Sequence, residues 1–337
     1  MSKVYHGYAA MEQGGELERI EYEVGELGGD EVEVKVTHCG ICHSDLAMID
    51  NEWGNTKYPQ VPGHEVVGVV SEVGAHVGHL TVGQRVGLGW QSGSCGCCEW
   101  CNAGDENLCA TTSGTIVGRH GGFADYVRAE GRFVVPLPEG LDAVNASPLL
   151  CAGITAFNPF VEYGITATDR VGVVGIGGLG HLAIQFSRAY GCHVTAFSST
   201  ADKEMEAREL GADGFVVSRE PGNLKVLARS FDLLLVTANA DLDWSLYASM
   251  LRPRGNMCFV GIPPSKLSVH VFDLISGQHC LSGSPIGSPK TIGRMFDLAV
   301  QHQIGAVTEE FAFKDVNKAI ARLRENKVRY RAVLVHE

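Results

Sequence analysis

The amino-acid sequence predicts an α/β protein that combines a doubly wound parallel sheet with a second, irregular and β-rich domain. The chain has 337 residues, enough for two domains at roughly 100–200 residues each. Residues 1–150 contain short strands broken by glycine and proline, whereas residues 151–286 alternate apolar strands with helical segments, as parallel sheets do. We expect the tail, residues 287–337, to return to the first domain.

The first domain is predicted from strands with a two-residue period. In EVEVKVTHC (31–39) three valines alternate with Glu33, Lys35 and Thr37, which indicates a half-buried strand with one apolar face. Similar strands are predicted at VVGVVSEVG (66–74), RVGLGW (85–90), FADYVRA (123–129) and RFVVPL (132–137).

The second domain is predicted from a strand, a glycine turn and a helix in VGVVGIGGLGHLAIQFSRAYG, where apolar residues recur at helical spacing after the glycines. Further strands are predicted at HVTAF (193–197), GFVV (214–217), FDLLLV (231–236) and NMCFVG (256–261), and helices at KEMEAREL (203–210) and WSLYASML (244–251). The tail is predicted to hold two helical stretches and the strand RAVLV (331–335).

Composition excludes several classes of protein. The formal charge of −12 argues against a nucleic-acid partner and against an anionic membrane surface. No apolar run reaches the roughly 18 residues of a membrane span, and MSKVYHGYAAMEQGG lacks the apolar core of a signal peptide. A cytoplasmic location is therefore expected. Eleven cysteines, an odd number, then favour metal-binding or catalytic thiols over disulfides.

Four cysteines within residues 92–112 have the spacing of a closed metal site. Cys95, Cys98, Cys101 and Cys109 form C-x2-C-x2-C-x7-C, in which short gaps aim successive thiolates at one centre and the long gap returns a fourth. A filled tetrahedron leaves no position for substrate, so a structural zinc is predicted. Buried free thiols and an iron–sulfur cluster are the alternatives. Cys97 is left over.

Three further residues offer the ligands of an open metal site. Cys42 in GICHSD, His64 in PGHE and Cys151 in LLCAG provide two thiolates and one imidazole. Three protein ligands leave one position vacant, as a catalytic zinc requires, and Glu65 is a candidate for that position without substrate. Each residue alone is weak evidence, because a lone buried cysteine is more often packing than ligand.

A glycine-rich motif predicts a dinucleotide site. GIGGLG comprises Gly175, Ile176, Gly177, Gly178, Leu179 and Gly180, and it fits G-x-G-x-x-G between a predicted strand and helix. Its glycines would let the backbone approach a pyrophosphate at the helix N-terminus. The alternative is a strand–helix turn that binds nothing.

The choice of cofactor is predicted from the end of the next strand. An acidic residue there would bind the ribose of NAD, but HVTAFSSTADK has Ser198 and Ser199, followed by Lys203. Hydroxyls and an ammonium suit the 2′-phosphate of NADP, although Asp202 is a contrary sign. Ser199 or Thr200 could instead cap the next helix.

Six stretches together carry a family resemblance. They are CGICHSD, VPGHEVVGVV, SCGCCEWCNAGDENLC, SPLLCAGITAF, GIGGLGHLAIQ and YRAVLV. In these stretches, which span nearly the whole chain, the sequence resembles zinc-dependent medium-chain alcohol dehydrogenases, most of all the cinnamyl-alcohol-dehydrogenase-like branch. The resemblance implies a Rossmann NADP-binding domain, a GroES-like catalytic domain, and hydride transfer between NADP(H) and a primary alcohol or aldehyde.

The resemblance also implies roles for single residues. Cys42, His64 and Cys151 would bind a catalytic zinc, with Glu65 as an exchangeable ligand. Asp45 would orient His64, or else cap the loop. Two neighbouring residues, Ser44 and His43, are implied as a proton-relay hydroxyl and a residue facing a cofactor phosphate; a turn serine is the alternative for Ser44. Many relatives end the relay with a histidine where this chain has Ala47, so the proton is expected to pass from Ser44 through the cofactor ribose to water.

The substrate pocket and the assembly follow from the same resemblance. Trp53 and Trp90 match aromatic pocket positions, Ile286 would complete the pocket, and Arg331 resembles a residue near the cofactor pyrophosphate. Flat walls favour an aryl or allylic substrate, although packing is the alternative for each tryptophan. Relatives form dimers or tetramers, so a homodimer or homotetramer is expected. The competing functions are a non-catalytic NADPH-binding redox sensor and a polyol dehydrogenase of similar fold.

Overall fold

The computed structural model describes residues 3–336. Its strands in chain order are β1 Lys3–Ala10, β2 Leu17–Val24, β3 Glu31–Ile41, β4 Glu65–Val73, β5 Arg85–Leu88, β6 Gln91–Gly93, β7 Ser113–Gly114, β8 Tyr126–Glu130, β9 Val134–Pro136, β10 Arg170–Val174, β11 His193–Ser198, β12 Gly214–Val217, β13 Phe231–Val236, β14 Leu251–Phe259, β15 Cys280–Gly283, β16 Thr308–Ala312 and β17 Arg331–Val335. Its α-helices are α1 His43–Ile49, α2 Glu99–Ala103, α3 Ala143–Ala146, α4 Ala152–Glu162, α5 Gly180–Ala189, α6 Glu204–Glu209, α7 Pro221–Lys225, α8 Trp244–Ser249, α9 Val271–Gly277, α10 Pro289–His302 and α11 Val316–Arg324.

The chain forms two compact units. Unit one comprises the described residues up to Ile154 together with those from Ile286 onward, and unit two is Thr155–Pro285. In the described part of the chain no single helix is long and apolar enough to cross a membrane, although the bent pair 143–150 and 152–162 passes that test when joined.

Unit one is built on a seven-stranded mixed sheet. The strands follow the order β16-β17-β3-β4-β5-β9, and β8 pairs with β3 beside this path. The tail strand β17 runs antiparallel to β3 and parallel to β16, so it is part of the sheet of unit one. Small antiparallel sheets form from β1 with β2 and from β6 with β7. The hairpin of β1 and β2 was not expected from the sequence.

The central strand β3 differs from its prediction on one face. Val32, Val34 and Val36 are buried in the core as expected, but Glu33 on the opposite face is also buried, at 2% exposure. Its carboxylate accepts hydrogen bonds from Tyr5, Lys3 and Arg128. Burial alone would raise the pKa of Glu33; these bonds outweigh it and lower the pKa to about 2. The prediction that this face of β3 is exposed was therefore wrong at Glu33, because side chains from β1 and β8 enclose its carboxylate.

Unit two is the predicted doubly wound parallel sheet. Its strand order is β12-β11-β10-β13-β14-β15, and every neighbouring pair is parallel. The order reverses at β10, and at such a point the carboxyl ends of parallel strands open a crevice for ligands. The structure begins β14 at Leu251, earlier than predicted, and adds β15 and α9, which the sequence pattern did not indicate.

Candidate metal sites and nucleotide-binding turn

Four donor residues meet in unit one at the ends of β3 and β4. Cys42 is the N-cap of α1 directly after β3. His64 immediately precedes β4, and Glu65 is the first residue of β4. Cys151 follows the short 3₁₀ turn 147–150. Their sulfur, nitrogen and oxygen ligand atoms all lie within 4.8 Å of one another. We call these four residues the buried cluster.

Two glycines allow this approach. Gly40 pairs with Glu65 across β3 and β4, and a Cβ at Gly40 would collide with the Glu65 side chain. Gly63, just before His64, has φ of +101°, a conformation that a residue with a side chain adopts only under strain. The Ser147 hydroxyl donates to the Glu65 carbonyl at 2.5 Å and accepts from the Gly40 amide at 2.8 Å, so it joins the two strands. Sequence reasoning missed Ser147.

The atoms of the buried cluster have the chemistry of a metal site. The Sγ atoms of Cys42 and Cys151 lie 3.9 Å apart. The hydrogen bond with Cys151 is the largest influence that lowers the pKa of Cys42, and His64 and Arg331 act in the same direction. Together they outweigh burial and hold that pKa well below its usual value, which favours one thiolate in the pair of Cys42 and Cys151. His64 Nε2 and Glu65 Oε2 are buried without a hydrogen-bond partner among residues 3–336. Such orphaned atoms cost about 1–3 kcal/mol each unless something binds them. Two sulfurs, an imidazole and a carboxylate are donors that zinc accepts.

Asp45 fixes the orientation of the imidazole. Its Oδ1 accepts from His64 Nδ1 at 2.9 Å and from the Gly63 amide at 2.8 Å, while its Oδ2 accepts from the Cys42 amide at 2.8 Å. The bond to Nδ1 leaves the lone pair of Nε2 directed away from Asp45, as metal-bound histidines require. The two interpretations from sequence coexist, because Asp45 both orients His64 and caps the first turn of α1.

Arg331 lies against the buried cluster. Its Nη2 donates to Glu65 Oε1, and both side chains are buried. Burial raises the pKa of Glu65 to about 7, and Arg331 is the strongest influence in the opposite direction. The sequence suggested a place near the cofactor pyrophosphate for Arg331. The structure shows the guanidinium in unit one bound to Glu65, a pair to which no sequence signal pointed. The place near the pyrophosphate stays a prediction.

The second cysteine group lies between β6 and β7. Cys95, Cys98, Cys101 and Cys109, here called the loop cluster, also place their sulfurs within 4.8 Å of one another. The amide of Cys98 donates to Cys95 Sγ at 3.4 Å and that of Cys101 to Cys98 Sγ at 3.5 Å. The bond from Cys101 alone would lower the pKa of Cys98, but loss of hydration and the neighbouring thiols outweigh it and raise that pKa to about 11. Backbone hydrogen bonds lower the pKa of Cys95 to about 5. Cys97 is exposed and lies outside this group.

The predicted pocket residues are also in unit one. The ring of Trp90 meets the His64 imidazole edge-on at 5.0 Å between centroids and the Trp53 ring at 5.7 Å. Trp53 is 44% exposed, so core packing is the wrong interpretation for it. The carbonyl of Ile286 accepts from Asn107 at 2.9 Å, beside the loop cluster. His43 is exposed and Ser44 half-buried in the first turn of α1.

The nucleotide-binding turn joins β10 to α5 in unit two. Gly175 has φ of +100°, and a Cβ at Gly180 would collide with the Gly175 carbonyl, so the turn requires glycine at both positions. No atom lies within 4 Å of a Cβ built at Gly177, which leaves the backbone there open to a ligand. Gly178 and Leu179 complete the turn, and Leu179 is the N-cap of α5.

The residues expected to select the cofactor surround the end of β11. Ser198 is buried and its Oγ accepts from the Thr200 amide at 3.3 Å, whereas Ser199 is exposed. Lys203 Nζ donates to the Ile176 carbonyl at 2.6 Å, which brings its ammonium to the glycine turn. Thr200 is the N-cap of the 3₁₀ turn 201–203 but forms no side-chain cap bond, so the capping alternative fails for Thr200.

Comparison with known families and proteins agrees with this geometry. Residues 28–139 match the alcohol dehydrogenase GroES-like domain, and residues 178–301 match the zinc-binding dehydrogenase domain. The chain is 52% identical to the aldehyde reductase AdhA of Synechocystis over 98% of both chains. It is 42% identical to 8-hydroxygeraniol dehydrogenase of Catharanthus roseus, over 97% of this chain and 94% of the relative.

Solved structures give the same picture. A cinnamyl alcohol dehydrogenase of Sorghum bicolor superposes with a TM-score of 0.94 at 40% identity, covering 99% of this chain and 98% of the other. A cinnamyl alcohol dehydrogenase of Helicobacter pylori, solved in complex with NADP(H), gives 0.90 at 28% identity and covers 99% of both.

Proposed function

The chain belongs to the zinc-dependent medium-chain alcohol dehydrogenases, in their cinnamyl-alcohol-dehydrogenase-like branch, and on that premise we propose that it is an NADP(H)-dependent aldehyde reductase and alcohol dehydrogenase. The substrates we propose are primary alcohols and aldehydes with an aryl or allylic group. The observation that carries the proposal is the buried cluster, in which two cysteine sulfurs, His64 Nε2 and Glu65 Oε2 converge and the last two have no other partner among the described residues.

The buried cluster supports zinc as the resident metal. Cys42, His64 and Cys151 would hold it, and Glu65 would hold it when no substrate is bound. When bound, zinc supplies a Lewis acid that polarises the oxygen of an alcohol or aldehyde. Asp45 holds His64 in the orientation that keeps Nε2 available. Arg331 binds Oε1 of the Glu65 carboxylate, and Oε2 keeps no hydrogen-bond partner among the described residues.

Three residues of unit one would serve the substrate. Trp90 packs against His64 and extends through Trp53 toward solvent, which forms a flat aromatic wall beside the cluster. Such a wall suits a planar aryl or allylic group. Ser44 Oγ, in the first turn of α1 next to Asp45, is the hydroxyl that we propose relays the alcohol proton toward water. Ala47 is buried and offers no proton acceptor at the position where many relatives carry histidine.

The loop cluster supports a second, structural zinc. Its four donor atoms are all cysteine sulfurs, and they come from fifteen consecutive positions, 95–109. A site closed by four thiolates has no vacant position for a substrate. We therefore place catalysis at the buried cluster alone.

The end of β11 supports NADP(H) over NAD(H). Ser198 and Ser199 stand where an acidic residue would repel a 2′-phosphate, and Lys203 brings a positive charge to the same region. The Helicobacter pylori neighbour binds NADP(H), which agrees with this assignment.

A single substitution tests the cofactor assignment. Ser198→Asp should weaken NADPH binding about tenfold or more, because it places a carboxylate near the 2′-phosphate, and it should improve binding of NADH. Ser198→Ala is the matched control and should have a smaller effect on NADPH. Fluorescence titration with both cofactors measures the change; an unchanged preference for NADPH in the aspartate variant would refute the assignment.

A second copy of the chain is the proposed partner. Val271, Phe272 and Ile275 on α9 are 64–67% exposed. In the described residues β15 has a strand neighbour on one side only. A hydrophobic helix beside an open sheet edge suits self-association into a dimer or tetramer. Phe272→Asp should shift the mass measured by light scattering toward the monomer.

A substrate panel tests the proposed activity. Cinnamaldehyde and benzaldehyde should be reduced with NADPH much faster than with NADH, and chelation should abolish turnover until zinc is restored. Oxidation of sorbitol or xylitol at a higher rate than cinnamyl alcohol would instead support a polyol dehydrogenase. NADPH binding without turnover of any alcohol or aldehyde would support a redox sensor and contradict our proposal.

A further inference from the structure

Unit one contains a cavity that is separate from both metal-binding clusters. Its volume is about 430 Å³, within the range of sites for small organic ligands. None of its lining residues belongs to the buried cluster or the loop cluster. Its walls include four tyrosines, a histidine and an arginine: Tyr5, Tyr22, Tyr58, Tyr126, His120 and Arg119.

The rings of these walls form a continuous aromatic surface. Tyr22 packs on His120 with ring centroids 4.5 Å apart, and Tyr5 packs on Tyr22 at 5.8 Å and on Tyr126 at 5.3 Å. Aromatic faces and edges at these distances favour a flat ring as the next neighbour. The cavity is therefore shaped for a ligand with an aromatic body.

Arg119 supplies a positive charge that the protein does not neutralise by contact. Its Nη1 donates to the Ser92 hydroxyl at 3.1 Å and its Nη2 to the Arg128 carbonyl at 2.5 Å, so both partners are uncharged. Within residues 3–336 it forms no ion pair with a carboxylate. Burial lowers the pKa of Arg119, and the nearby carboxylates of Glu31 and Glu130, which form no ion pair with it, act in the opposite direction.

Three further polar groups of the lining can donate hydrogen bonds to a ligand. The hydroxyls of Tyr22 and Tyr126 form no hydrogen bond with any described residue, and burial raises the pKa of Tyr22, which keeps its hydroxyl protonated. His120 Nδ1 accepts from the Val61 amide at 3.4 Å, which leaves Nε2 as the N–H donor of the neutral ring. These donors match a ligand with acceptor oxygens.

The remaining charges in the lining do not change this conclusion. Arg128 is neutralised by Glu33, and Lys57 is exposed. Glu23 is exposed to solvent, and Glu31 accepts a hydrogen bond from the Gly28 amide at 2.9 Å. The carboxylates of Glu23 and Glu31 would repel a ligand with several negative charges. Arg119 would attract a ligand with a single negative charge placed beside its guanidinium.

We propose that this cavity is a binding site for a small aromatic monocarboxylate, of the size of benzoate or cinnamate, whose carboxylate pairs with Arg119 and whose ring packs among the tyrosines. The site is distinct from the metal-binding clusters and does not depend on the proposed catalytic activity.

The cavity is coupled to the metal-binding strand through backbone contacts. Gln60 lines the cavity, and its side-chain amide donates to the carbonyls of Val61 and Arg119. Gly63, the residue before His64, accepts from the Gly122 amide at 2.7 Å. A ligand in the cavity would therefore lie against Gln60, which precedes His64 by four residues in the same segment.

Calorimetry on the zinc-loaded protein tests the proposal with three probes of equal size. Benzoate should bind at least about tenfold more tightly than benzamide, which lacks the charge, and benzylammonium should not bind. Arg119→Gln should weaken benzoate about tenfold or more and leave benzamide within about twofold. Arg85→Gln, which also removes an arginine bonded to a backbone carbonyl, is the matched control and should change neither. Equal affinity for benzoate and benzamide would overturn the proposal.

A second variant and a crystal locate the site if Arg119→Gln does not fold. Tyr126→Phe removes one unpaired hydroxyl and should weaken benzoate about two- to tenfold. In crystals soaked with 4-iodobenzoate, the iodine anomalous peak should lie in the tyrosine-lined cavity. A peak found only beside Cys42, His64 and Cys151, or full benzoate affinity in Tyr126→Phe and Arg119→Gln, would show that the carboxylate binds elsewhere.

Discussion

The buried cluster and the loop cluster lie in the same unit, and each brings four donor atoms within 4.8 Å, yet they are assembled in opposite ways. The loop cluster takes all four donors from one short segment. One of them, Cys95, is exposed, and so is the neighbouring Cys97, which is outside the cluster. The buried cluster joins Cys42 to Cys151 across 109 positions, and His64 and Glu65 are fully buried.

The difference concerns what holds the ligands in place. In the buried cluster, paired strands, Asp45 and Ser147 position the donors through hydrogen bonds. In the loop cluster, the short elements α2 and β7 supply little apolar contact, and none of the residues of α2 is buried. A metal would therefore organise the loop cluster, whereas the buried cluster is organised in advance for chemistry.

The largest effect on turnover is expected from the buried cluster. Cys151→Ser should reduce kcat/KM about 10³-fold or more, because a Lewis acid contributes several kcal/mol to stabilising charge in the transition state. The fold should survive, since the surrounding sheet does not rely on this thiol. Steady-state assays with cinnamaldehyde and NADPH, with metal content measured alongside, check the result.

Cys192→Ser is the matched control for that experiment. Cys192 is also a buried thiol, its Sγ lies 3.3 Å from the Thr166 carbonyl, and a hydroxyl can replace it there. Activity should stay within about twofold of the parent. Equal losses in both variants would mean that any buried thiol matters equally, and the distinction between the two clusters would fail.

A smaller effect should follow from removing support rather than a ligand. Asp45→Asn keeps the size of the side chain but loses the charge that holds the His64 imidazole, so metal affinity should fall about 10–100-fold. Competition with a zinc chelator measures the change, and added zinc should restore most of the activity. Asp50→Asn, in an exposed ion pair with Arg324 just beyond α1, is the control. Loss of activity that zinc does not restore would contradict a positioning role for Asp45.

The sequence pattern predicted the parts of the molecule that depend on neighbouring residues. The alternating valines of β3 and the strand–glycine–helix order of β10 and α5 appear in the structure as expected. The burial of Glu33 did not follow from the pattern, because its partners Lys3 and Arg128 come from strands distant in sequence.

The candidate site shows the same limit. Residue type and the family resemblance singled out Cys42, His64 and Cys151, and the structure brings them together. The contact between Arg331 and Glu65 spans 266 positions and depends on the pairing of β17 with β3, which no local pattern reports. The tyrosine-lined cavity was missed for the same reason, because it combines residues of β1, β2 and β8 with two loops.

The smallest effect on turnover is expected from the loop cluster, and it separates the two clusters most sharply. Cys109→Ser should release one zinc per chain and disorder residues 92–112, because binding of a structural zinc supplies on the order of 10 kcal/mol to folding of a small module. Limited proteolysis should then cut this segment at least about tenfold faster. The buried cluster keeps its own support from the sheet, so kcat of the intact chain should stay within about threefold. Cys97→Ser, an exposed thiol outside the cluster, should change neither property. If Cys109→Ser instead abolished turnover as completely as Cys151→Ser, with the second zinc retained, the loop would be part of the catalytic machinery and the two clusters would not be independent.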